Sequence, residues 1–154
     1  MIASSSDVPA RAGAGAGHTA DALIARLEEA GTTLLALPMS SGARADLRTS
    51  KWPVVRAAMD AYGWSGARLR PAVPAASAIS RMDEALGWIS LIPQEKYVLR
   101  RIVGARALVS PLNGRHLFTW RRLGTALGAD ARAVRRWHEK GIAAILAALN
   151  GTIR

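Results

Sequence analysis

Five charged side chains lie within one short stretch near the C-terminus: Arg132, Arg135, Arg136, Glu139 and Lys140. At ~100° per residue they share one arc of a helix. Val134, Trp137, Gly141, Ile142, Ile145 and Leu149 share the other side, with His138 on or beside it. Four of the five outer residues are cationic, so the chemistry on offer is hydrogen-bond donation and charge rather than bond making. A helix fits the major groove of duplex DNA, where Arg pairs with guanine and a carboxylate accepts from cytosine. The first turns of such a helix meet base edges. Arg132, Arg135 and Arg136 are therefore the expected base readers, with Glu139 as a contact to cytosine. Arg121, Arg122 and Lys140 are placed to hold phosphates. The plainer alternative is an αα-hairpin with a solvated face, although a face serving solubility alone usually mixes its signs.

Other chemistry is poorly represented. There is no cysteine, which excludes disulfide scaffolds, thiolate zinc sites and cysteine nucleophiles. Of the three histidines, His18 falls in a tail, His116 in a loop, and His138 reads as a packed residue. No two of them have metal-ligand spacing with supporting carboxylates. Asp83 and Glu84 suit the start of a helix as favourable dipole charges. The glycines at 13, 15 and 17 lack the Gly-Lys-Ser/Thr of a phosphate loop. No nucleophile sits with a base. The sequence thus points to a non-enzyme with no catalytic residue, metal or cofactor.

The reading face needs a scaffold, and the stretch 118–149 supplies the pattern of a helix-turn-helix. Two helices that cross steeply need a small residue where they touch, and Gly124 fills that place. The turn needs a residue tolerant of positive φ, which Gly128 provides. Leu123, Leu127, Ala129, Val134 and Trp137 fall where apolar residues must point into the angle between the helices. Asp130 suits the N-cap of the second helix.

The rest of the chain reads as helices and connectors. Residues 1–17 are rich in Ala, Gly and Ser without periodicity, as in a disordered tail. Within 18–38, Leu23, Leu27, Ala30, Leu34 and Leu37 form a heptad-like seam that either packs on its own domain or serves dimerisation. Gly31, Thr32 and Thr33 weaken its centre. Residues 39–50 read as a loop. Residues 51–62 read as a short helix with Trp52, Val55, Met59 and Tyr62 on one side. Residues 65–76 read as an extended connector carrying Arg68 and Arg70. A helix is expected over 77–92, capped by Ser77 or by Ser80 with Asp83, with an apolar stripe of Ile79, Met82, Leu86 and Ile89. Trp88 falls on another side of that helix, as a partner contact or a packed edge. Pro93 opens a further helix with Val98, Leu99, Ile102 and Val103 inward. A loop follows over 109–116, and no segment alternates as a strand does. The fold class is all-α: a helical bundle with a C-terminal helix-turn-helix and a disordered N-terminal tail, the DNA-binding domain spanning 51–154.

The charge distribution agrees with this. The chain of 154 residues has a formal charge of +10. Residues 1–93 hold nine Lys and Arg against eight Asp and Glu, whereas residues 94–154 hold twelve against three. A locally basic domain is the footprint of a polyanion binder. No apolar run reaches the ~20 residues of a membrane span, the N-terminus does not read as a secretory signal, and the expected location is the cytoplasm.

The stretch 82–149 resembles the fourth region of bacterial sigma factors and related response-regulator domains. There a helix ends in a Leu-x-Pro step, here Leu91-Ile92-Pro93, and a second helix, here 94–103, leads into the helix-turn-helix. This chain departs from the pattern in a longer, basic loop over 105–116. The wider stretch 52–150 is similar to small helix-turn-helix proteins of phages and prophages. The resemblance rests on Trp52-Pro53, Asp60-Ala61-Tyr62-Gly63-Trp64, Arg81-Met82-Asp83-Glu84-Ala85-Leu86, Arg135-Arg136-Trp137 and Leu149-Asn150. It implies DNA binding in a phage-type setting. The expected role is a transcriptional regulator that reads double-stranded DNA as a homo-oligomer, a dimer foremost. The alternatives are a DNA-packaging recognition subunit of small-terminase type and a module that contacts RNA polymerase.

Overall fold

The computed structural model describes residues 17–38 and 72–151. These form five α-helices: α1 (Ala20–Ala36), α2 (Ala76–Trp88), α3 (Tyr97–Ala107), α4 (Trp120–Leu127) and α5 (Ala131–Gly151). Two single turns of 3₁₀ helix, Ile89–Leu91 and Gln94–Lys96, join α2 to α3. Among the described residues the only β pairing is one antiparallel bridge between Val109 and His116, so the all-α class holds. Residues 1–16 of the tail expected over 1–17, the loop over 39–50, the helix over 51–62 and the arginines at 68 and 70 lie outside the described residues.

Helix α1 starts where the Thr19 hydroxyl accepts from the Ala22 N–H at 3.3 Å. Its seam is consumed inside the chain: Leu23, Leu27, Ala30 and Leu34 are all buried, against α2, α3 and α5. Full burial of one such leucine is worth roughly 1.5–3 kcal/mol, so α1 is a structural part of the same core as the C-terminal helices. Ion pairs lace its outer edge to α2. Arg81 grips Glu29 with two bonds of 2.8 and 3.0 Å, and Arg26 reaches Glu84 at 2.8 Å. The bond from Arg81 holds the Glu29 carboxyl below its ordinary range. These pairs are exposed and contribute little each, typically under ~1 kcal/mol.

Three expectations for α2 are corrected. The helix begins at Ala76, with extended Ala75 before it and no side-chain cap. Ser77 is therefore already inside the helix, and the Ser80 hydroxyl donates back to the Ala76 carbonyl at 3.2 Å, the usual resort of a mid-helix serine. Ile79, assigned to the buried stripe, is 36% exposed, while Met82, Leu86 and Ile89 are buried as expected. The α-helix ends at Trp88 and tightens into the 3₁₀ turn before Ile92 and Pro93. Trp88 itself is packed: Arg26 lies 5.0 Å over its ring and His18 meets it edge-on at 5.7 Å. His18 accordingly does not hang in a tail. Its backbone N–H donates to Asn150 Oδ1 at 3.0 Å, and the Asn150 amide donates to the His18 carbonyl at 3.2 Å.

Between α3 and α4 the chain folds back on itself. Ser110 donates to the Arg115 carbonyl at 2.8 Å and Leu117 to that of Leu108 at 3.0 Å. His116 fastens this fold-back: Nδ1 donates to the Arg106 carbonyl at 2.9 Å, and Nε2 lies 3.3 Å from Glu28 of α1. The connection then delivers fully buried Phe118 to the core, directly before α4.

Candidate nucleic-acid interface

Helices α4 and α5 are set by residues whose types dictate their places. Thr119 caps α4, its hydroxyl accepting from the Arg122 N–H at 3.1 Å. Gly128 ends α4 in the left-handed conformation, φ +66°, which glycine adopts without the penalty of a Cβ. The next N–H, of Ala129, returns to the Gly124 carbonyl at 2.9 Å. Asp130 then caps α5, Oδ1 accepting from the Ala133 N–H at 2.7 Å, a contact worth ~1 kcal/mol. The helices approach so closely at Gly124 that a Cβ there would fall 2.5 Å from the Ala129 carbonyl oxygen. Leu123 and Val134 are completely buried in the angle, and Leu127, Ala129 and Trp137 pack against them, partly buried. The residues expected to hold this helix pair together are all brought into contact with the core.

On α5, Val134, His138, Gly141, Ile142 and Ile145 are buried, and Arg132, Arg135, Arg136, Glu139 and Lys140 are exposed. The outer arc read from the sequence divides into two parts. Arg132, Arg136 and Lys140 stand in solvent without a hydrogen bond or ion pair from their side chains to any described residue. Arg135 leans toward α4, its guanidinium 5.9 Å over the Trp120 ring, and with Glu139 it borders a cleft toward α1. On α4, Arg121 is exposed. Arg122 lies back on its own chain, donating to the Leu117 carbonyl at 3.4 Å and sitting 5.0 Å over Phe118.

Two residues matter more than the sequence indicated. Arg106 lies 3.9 Å over the other aromatic neighbour of this region, Trp120, and donates to the Phe118 carbonyl at 2.9 Å. Burial lowers its pKa; Glu28 opposes that shift and the charge of Arg135 adds to it. Nothing in a basic stretch distinguishes one arginine as the stacked one, so no sequence signal could have found it. His138 meets Trp120 edge-on at 5.1 Å. Burial, helped by the positive charges of Arg106 and His116, pulls its pKa down to about 4, so the ring is neutral at neutral pH.

No helix among the described residues is long and apolar enough to cross a membrane. Fold and face together define an all-α protein whose last helix presents Arg132, Arg136 and Lys140 without a partner among the described residues. The chain belongs to the family described as a domain of unknown function, DUF6362, which it matches over residues 36–145. The matched segment begins at the last residue of α1, so the helix that closes the core lies almost wholly before it. Neither a curated protein nor a solved structure matches the chain.

Proposed function

We propose that this protein binds double-stranded DNA, with α4 and α5 acting as a helix-turn-helix and α5 as the helix that enters the major groove. The observation that carries this is the strip Arg132, Arg136 and Lys140, exposed and unneutralised by any described carboxylate. Arg132 and Arg136 stand at the N-terminal half of α5, where base edges are met. Arg135 and Glu139 lie at the edge of the same face and extend the reading set. Arg121, Arg122 and Lys140 are the phosphate contacts of this reading. The Leu-x-Pro step between α2 and α3, followed by a helix and then the reading pair, supports the resemblance to the fourth region of sigma factors. The role that follows is transcriptional regulation through duplex recognition.

The decisive measurement is selection of a preferred site from random duplex DNA with the full chain, followed by affinity against salt. A defined motif, with log K falling linearly as log salt rises, supports a sequence reader. A palindromic motif adds a dimer with two half-sites a helical turn apart. Absence of enrichment together with negligible binding at moderate salt overturns the proposal.

A further inference from the structure

A cleft of about 450 Å³ opens between the start of α1, α3 and the first half of α5, with Trp120 as one wall. Its floor is apolar, made by Ile24, Leu27, Val103 and Ala107. Its rim carries both signs of charge: Asp21 on α1, and Arg135 and Glu139 on α5. These three charges do not neutralise one another, since none makes an ion pair with any described residue. Arg106 and Glu28 also reach the cleft but are already engaged, with Trp120 and Phe118 and with His116.

The second observation is His138. Its side chain lines the cleft, the residue is only 8% exposed, and neither ring nitrogen has a hydrogen-bond partner among the described residues. Those nitrogens are not sealed inside the core, so they are open to a molecule in the cleft. A neutral imidazole offers one donor and one acceptor. The cleft thus combines an apolar floor, a neutral hydrogen-bonding group open to it and rim charges of both signs. Small-molecule sites have this make-up, in volumes of roughly 300–1,000 Å³.

We infer that the cleft is a binding site for a small zwitterion of the size and kind of a free α-amino acid. Its carboxylate pairs with Arg135, its ammonium with Asp21 and Glu139, and its polar atoms complete the hydrogen bonding of His138, while its side chain lies on the apolar floor. The site does not depend on the DNA-binding reading, and its test uses no DNA.

The test is calorimetric titration of the full chain with the common L-α-amino acids, singly, and with acetate and propylamine as single-charge probes. The His138 ring is followed in parallel by NMR. The expected result is saturable binding of at least one amino acid, with a shift of the His138 resonances. Asp21→Asn and Arg135→Gln, both exposed positions that leave the core intact, each weaken it by about tenfold, the scale of one lost charged contact. Acetate and propylamine do not saturate. The inference is overturned if no amino acid binds at millimolar concentration, if both variants bind as the native chain does, if the His138 resonances stay in place, or if a single-charge probe binds equally well.

Discussion

The backbone of Gly124 faces the carbonyl of Ala129 so closely that a methyl group on Gly124 would fall 2.5 Å from that oxygen. A rigid backbone atom cannot yield as a side-chain tip can, so Gly124→Ala forces α4 and α5 apart. The expected cost is roughly 1–3 kcal/mol, measured as a lower urea midpoint. Gly87 in α2 is the internal control, since nothing lies within 4 Å of a Cβ built there. Gly87→Ala is expected to raise stability by ~0.5–1 kcal/mol through the unfolded chain and helix propensity.

Within the DNA-binding reading, the exposed strip on α5 separates into two kinds of contact. Arg136→Ala should weaken the selected site by roughly 1–3 kcal/mol and relax preference at one base pair. Lys140→Ala should weaken all duplexes about equally and flatten the salt dependence by ~1 in slope. Fluorescence anisotropy on specific and scrambled duplexes across a salt series distinguishes the two patterns.

His138 makes stability depend on pH in one direction. Its folded-state value of about 4 lies below the ordinary 6.5. As pH falls, the unfolded chain takes up the proton first, so the folded state loses stability from near 6.5 down through about 4. Above that window the contribution is fully present. At ~1.4 kcal/mol per unit, the loss across the window is on the order of 2–3 kcal/mol. Urea unfolding of the native chain at several pH values, set against His138→Gln, checks this: the slope in that window should shrink in the variant.

The paired bonds between His18 and Asn150 anchor the lead-in to α1 on the end of α5. Asn150→Ala removes both. The groups are exposed, so the global cost should be small, about 1 kcal/mol or less. Amide exchange should nonetheless quicken selectively in the first turn of α1, while α3 and α4 keep their protection.

The helix pair was the most legible part of the chain because every residue in it is constrained by type. Gly124 is excluded from being larger, Gly128 is the residue at positive φ, Asp130 is a cap, and Leu123 and Val134 recur where the angle is filled. The role of α1 was less legible. A seam such as Leu23, Leu27, Ala30 and Leu34 announces burial without naming the surface that covers it. Gly31 read as a weakness in that helix, yet a Cβ there would fall 1.8 Å from the Ala107 carbonyl oxygen, so it marks the crossing of α1 and α3. That contact joins residues far apart in sequence, and local pattern holds no record of it. The start of α2 misled for the opposite reason: Ser77 and Ser80 are good caps by type, but extended Ala75 sets the boundary before either. The charged arc of α5 could be placed by periodicity, whereas the turn of Arg135 toward Trp120 depends on a ring from another helix.

Helix α1 reaches its seat on α2, α3 and α5 across the thirty-nine residues that separate Ala36 from Ala76. In effect it is a peptide ligand supplied from elsewhere in the same sequence, and its occupancy is governed by the contacts of its seat. Cleavage between α1 and α2 should therefore leave two fragments that reassemble, and an excess of free α1 peptide should compete for the seat. Exchange of this one helix between two molecules would give a dimer that reuses, among the described residues, the contacts of the single chain.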